Sequence, residues 1–169
     1  NSGDIRVTTK YDEQDFRSAV FGTIHECGHA IYEQNIDPKL NGLPLSTGTS
    51  MGIHESQSLF YENFIGRNEQ FWKHNFKLLQ KYSPEQFGDV ALEDFLKAIN
   101  FVEPSFIRIE ADELTYPLHI MIRYEIEREL LDGDLQAEDL PTVWNDKYEQ
   151  YLGIRPENDA QGVLQDMHW

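Results

Sequence analysis

Two histidines four residues apart, His25 and His29, constrain this chain more than any other feature of it. On a helix such a pair projects about 40° apart and one turn from each other, so one tetrahedral ion can take both imidazoles. Glu26 follows the first histidine and projects about 60° from the second. From there a carboxylate reaches a water on the ion without binding the ion itself. Zinc lowers the pKa of such a water toward ~7, and the carboxylate can take its proton as general base. This is the mechanical content of the HExxH pattern. The competing reading is a surface helix with two solvated histidines. The flanks Phe21-Gly22-Thr23-Ile24 and Ala30-Ile31-Tyr32 are apolar and contain glycine, which weighs against it.

A catalytic zinc site with two histidines needs a third protein ligand and one open position. The best candidate is Glu55, in Gly52-Ile53-His54-Glu55-Ser56-Gln57-Ser58, on a helix that follows a loop. Two antiparallel helices joined by that loop would bring it beside the histidines. His54 is the rival ligand, pointing about 100° away from Glu55 on the same helix. Two histidines with a glutamate is a known peptidase ligand set.

The rest of the pattern is mainly helical. The spacing predicts helices from about 13 to 34 with Asp12 as cap, 51 to 66, and 71 to 81. Ser83-Pro84-Glu85-Gln86 opens a helical stretch toward Asn100 with a break near Gly88. Further helices span 116 to 131, stopped by Gly133, and 141 to 152, stopped by Gly153. Ile5-Arg6-Val7-Thr8-Thr9 is β-branched and alternating and reads as a short strand; others are expected near Leu45 and over Ser105 to Ile109. The expectation is a mainly α fold with a small, short-stranded sheet, in one domain over residues 1–169.

Composition narrows the partners. The 169 residues carry a net charge of −16, which repels phosphates and so excludes nucleic acid and anionic membrane surfaces. With 40% hydrophobic and 12% aromatic residues the chain can bury a core. The single cysteine, Cys27, permits no intrachain disulfide. It lies about 200° round the helix from His25 and reads as a small core residue rather than a ligand. No apolar run approaches membrane-span length, and an intracellular, cytoplasmic protein is the expectation.

Five ordered motifs together resemble the carboxypeptidase Taq family of zinc metallocarboxypeptidases. They are Asp4-Ile5-Arg6-Val7-Thr8 (DxRxT), His25 to His29 (HExxH), His54 to Ser58 (HES(Q/G)S), Ile107 to Tyr116 (IRxxADELTY) and Gly162 to Trp169 (GxxQDxHW). The resemblance implies a zincin-like helical core with its sheet beside the active site. It implies zinc, with cobalt as a possible substitute, held by His25, His29 and Glu55, with Glu26 activating water. It also implies release of single residues from peptide C-termini with broad preference, and a homodimer. A free carboxylate calls for a planar guanidinium, and Arg108 is the candidate; its alternative is an ordinary ion pair. Tyr116 and His168 are candidate oxyanion donors or substrate contacts. Asp112 or Glu113 could orient a zinc-bound histidine or simply start a helix. The family's long helical region before DxRxT, and its chain after GxxQDxHW, are not matched here. The chain therefore reads as a catalytic core truncated at both ends, for which binding zinc without turnover is the competing expectation. An HExxH enzyme with endopeptidase or aminopeptidase specificity is the other.

Overall fold

The structure is a computed structural model that describes residues 4–165. Its helices are α1 (Phe16–Gln34), α2 (Met51–Leu59), α3 (Glu69–Tyr82), α4 (Pro84–Phe87), α5 (Leu92–Ile99), α6 (Tyr116–Asp132) and α7 (Leu140–Leu152). A π-helical segment, Phe60–Gly66, continues α2 directly. Contacts gather the chain into two compact units, Asn1–Ile99 and Asn100–Trp169.

Helix α1 begins at Phe16 because Asp15 caps it, its carboxylate accepting the Arg17 N–H at 2.9 Å. The sequence favoured Asp12, but that side chain is spent on an earlier turn, accepting Gln14 N–H at 2.8 Å. The first core gathers Phe21, Trp72, Phe76, Phe95 and Ile99. Arg67 closes one side of it, its guanidinium 4.6 Å from the centre of the Phe21 ring and donating to the Ile99 carbonyl. The Trp72 indole N–H donates to the Gly66 carbonyl at 2.7 Å, which ties the end of the π-helical segment to α3.

The second unit is a helical hairpin. Ile122 and Ile126 of α6 are fully buried against Trp144, Tyr148 and Leu152 of α7. Both helices end where the glycines stand in the sequence, Gly133 at φ 82° and Gly153 at φ 70°.

The small sheet is not there. Among the described residues no strand forms, and the three segments that suggested one do other things. Residues 5–9 form no regular element, Leu45 sits in a turn, and Ser105 to Ile109 runs into a 3-10 turn at Arg108–Glu110. β-branched alternation favours an extended backbone, but a sheet also needs a partner edge, which local sequence does not supply.

Candidate metal centre

Helix α1 runs antiparallel to α2 and its π-helical continuation, as four cross-pairs show: His25 meets Glu62, Gly28 meets Ser58, and His29 meets both His54 and Glu55. Gly28 sets how closely they approach. A Cβ there would stand 2.6 Å from Ser58 Cα and 2.8 Å from the Gln57 carbonyl oxygen. The glycine inside the histidine motif is thus the contact that brings the two helices together. Ser58 is fully buried at that crossing and donates to the Glu55 carbonyl at 2.7 Å, with Glu55 Oε2 3.3 Å away.

Three donor atoms converge from this pair of helices. His29 Nε2 lies 3.3 Å, and His25 Nε2 3.7 Å, from Glu55 Oε2. Ligands about 2.0–2.2 Å from an ion at the centre of a tetrahedron stand about 3.4 Å from one another. The spacing and donor types therefore fit zinc, and His25, His29 and Glu55 form the potential metal-holding group of the described residues. The electrostatics agree. Glu55, with Glu62 behind it, pushes the His25 pKa up to about 10, and His25 in turn holds the Glu55 carboxyl below its ordinary range.

The histidines are held from behind. His25 Nδ1 lies 2.8 Å from Glu62 Oε2, on the π-helical segment. His29 Nδ1 lies 2.6 Å from His54 Nδ1, whose Nε2 is 2.8 Å from Glu33 Oε1. His54 thus stands between His29 and Glu33, beside the three converging donors. An open cleft of about 620 Å³ adjoins the centre, lined by His29, Glu33, Gly48, Ser50, Met51, His54 and Glu55.

Glu26 follows His25 on α1 and lines a different pocket of about 380 Å³, with Thr8, Thr9, Lys10, Ser18 and Gly22. Cys27 is exposed, not a core residue: the packed face of α1 carries Phe21 and Gly28, and Cys27 lies about 100° round from the glycine.

Arg108 and Tyr116 lie in the second unit, where the structure brings them together, the guanidinium donating to the phenol oxygen at 3.4 Å. Gln165 braces that segment, its amide oxygen accepting Arg108 N–H at 2.9 Å and its amide nitrogen donating to the Phe106 carbonyl at 2.6 Å. Two of the sequence motifs are thereby one structural unit. His168 lies outside the described residues. Asp112 does not orient a histidine: its carboxylate accepts from Leu114 N, Thr115 N and Thr115 Oγ1, each at 2.9 Å, and starts α6. Glu113 belongs to the same segment of the second unit. The residues that back the histidines, Glu33, His54 and Glu62, were not singled out for that role. Their helical spacing is the available signal, since Glu33 is four residues after His29 and Glu62 seven after Glu55.

Two histidines and a glutamate on antiparallel helices, each histidine backed by an acceptor, define a helical metallopeptidase-type centre. The chain belongs to the carboxypeptidase Taq (M32) metallopeptidase family, whose sequence profile matches residues 1–169. It is 67% identical to carboxypeptidase 1 of Bacillus subtilis (strain 168) over 169 residues, which is 100% of this chain and 34% of that one. It is 48% identical over 167 residues to thermostable carboxypeptidase 1 of Thermus thermophilus, covering 99% of this chain and 32% of the relative. The crystal structure of the M32 carboxypeptidase from Deinococcus radiodurans R1 superposes with a TM-score of 0.95 at 47% identity, over 99% of this chain and 34% of that one. The chain thus spans about a third of the relatives it matches.

Proposed function

We propose that this chain is the catalytic core of a zinc metallocarboxypeptidase, which releases single residues from the free C-terminus of peptides with broad side-chain preference. The observation that carries the reading is the convergence of His25 Nε2, His29 Nε2 and Glu55 Oε2, with both histidines held from behind. These three residues would hold the metal. When bound, zinc, or cobalt in its place, supplies Lewis acidity toward water and a peptide carbonyl.

The chain's own residues supply the rest. Glu26, one residue from His25, takes a proton from water on its carboxylate and returns it to the departing amine. Arg108 reads the substrate's terminal carboxylate through paired N–H donors. Its guanidinium donates to the Tyr116 phenol oxygen at 3.4 Å, which sets two residues of one motif side by side. Tyr116 and His168 are further substrate contacts. Among the described residues no helix is long and apolar enough to cross a membrane. We place the protein in the cytoplasm on its single cysteine, and a homodimer is the assembly proposed for the full-length form.

A second reading is a zinc-binding fragment without turnover, favoured by the chain's spanning 34% of a close relative. N-blocked peptides with free and amidated C-termini separate the possibilities. Release of the terminal residue from the free acid only, abolished in Glu26→Gln with zinc retained, supports the carboxypeptidase. Cleavage of both substrates at equal rates points to endopeptidase specificity, and release of the first residue from a peptide with a free N-terminus, with the blocked ones untouched, to an aminopeptidase. Zinc without hydrolysis leaves the binding fragment.

A further inference from the structure

We infer that His54 and Glu33 form a positioning relay that fixes which nitrogen of His29 faces the metal centre; this rests on the metal-site reading above. A neutral imidazole has one donor and one acceptor nitrogen, whereas an ionised carboxylate only accepts. The 2.8 Å contact of His54 Nε2 with Glu33 Oε1 therefore puts the His54 proton on Nε2. His54 Nδ1 is then a lone pair. It stands 2.6 Å from His29 Nδ1, where two lone pairs would repel, so His29 carries its proton on Nδ1 and donates it to His54. That leaves His29 Nε2 as a lone pair, 3.3 Å from Glu55 Oε2, where an ion would be held.

At His25 one residue does the same work, since Glu62 Oε2 at 2.8 Å holds a proton on Nδ1 and leaves Nε2 as the nitrogen that an ion would take in place of a proton. Two unlike hydrogen-bond routes thus arrive at the same tautomer on both ligands. The fold also keeps the relay ring from turning. Tyr32 packs edge-on against His54 with ring centres 4.9 Å apart. Gly48 also leaves no room to spare, since a Cβ there would stand 2.6 Å from His54 Cδ2 and 3.3 Å from Tyr32 Cε1. Glu33 comes from the same face of α1 as His29, one helical turn on. With both ring nitrogens engaged, His54 is a positioning residue and not a fourth ligand.

The test is zinc affinity of the purified chain, measured by competition with a chromophoric chelator, with long-range 15N–1H spectra of the zinc-loaded protein. The wild type is expected to bind one zinc, with His29 protonated at Nδ1 and His54 at Nε2. Glu33→Ala and His54→Ala should each weaken binding by about 10–100-fold, the usual effect of removing an outer partner of a metal-bound histidine. Glu33→Gln should lose less, because its side-chain carbonyl still accepts from His54 Nε2. Cobalt-loaded His54→Ala should keep the wild-type absorption bands. A Glu33→Ala affinity within about twofold of a wild type that does bind zinc would overturn the relay. So would a proton on His54 Nδ1, or altered cobalt bands, which would make His54 a ligand. A wild type that binds no zinc removes the metal-centre reading itself, and the relay with it.

Discussion

At the scale of single residues, Gly28 decides more than its size suggests. Alanine would raise helix propensity at that position by about 1 kcal/mol. The added methyl would meet backbone atoms of α2, which cannot swing aside as a side chain would. Overpacking of this kind costs about 1–3 kcal/mol, so the clash should win. Gly28→Ala is expected to lower the unfolding temperature and to weaken zinc binding together, because parting α1 from α2 separates the histidines from Glu55. Calorimetry with and without zinc checks both. Unchanged affinity in a destabilised variant would show that the helices had relaxed without moving the ligands.

At the scale of elements, α6 and α7 are joined by more than their buried isoleucines. Lys147 Nζ lies 2.8 Å from Glu125 and 3.0 Å from Glu129, two like charges one helical turn apart. Hydrogen bonds from Lys147 and Tyr151 hold the Glu125 carboxyl below its ordinary range. Lys147→Met keeps the stem and removes the charge, leaving the two carboxylates to repel each other. A loss of about 1 kcal/mol is expected in urea titrations, shrinking in concentrated salt. His119 gives the pH dependence. It is buried on α6, 2.9 Å from the Tyr148 hydroxyl, and burial lowers its pKa below the ordinary 6.5. The folded form therefore refuses a proton that the unfolded chain accepts. Stability from this residue is complete above pH 6.5 and falls as pH drops toward the lowered value. His119→Gln should flatten that part of the stability–pH curve, where the single-group slope is at most about 1.4 kcal/mol per pH unit.

At the scale of the whole molecule, metal linkage should be uneven. Zinc at about a hundred times its Kd adds roughly 2.7 kcal/mol to the state that binds it. Chelation should therefore lower amide protection first in Phe16–Gln34 and Met51–Gly66, the helices that hold the three donors; hydrogen exchange measured by mass spectrometry follows it. Equal loss over α6 and α7 would contradict a centre built from α1 and α2 alone. The helices themselves were legible in the sequence, since apolar spacing, Pro84 and the terminal glycines Gly133 and Gly153 are local signals. The sheet was misread because strand propensity at Ile5–Thr9 says nothing of a partner edge.

The sequence by itself named the three residues that could hold a metal. The spacing of His25 and His29 placed two imidazoles on one helical face, and the motif around Glu55 supplied the third donor. Helical periodicity is a property of the local backbone, so such signals survive without the fold. Only the tertiary structure decided how the ligands are held. His54 read as a rival to Glu55 until α2 packed antiparallel on α1 and set it between His29 and Glu33. The carboxylates beside His25 and His54 are Glu62 and Glu33, while that of Asp112 accepts from the start of α6. Hydrogen-bond partners across a helix pair depend on register and approach distance, and here the close approach depends on one missing side chain, at Gly28.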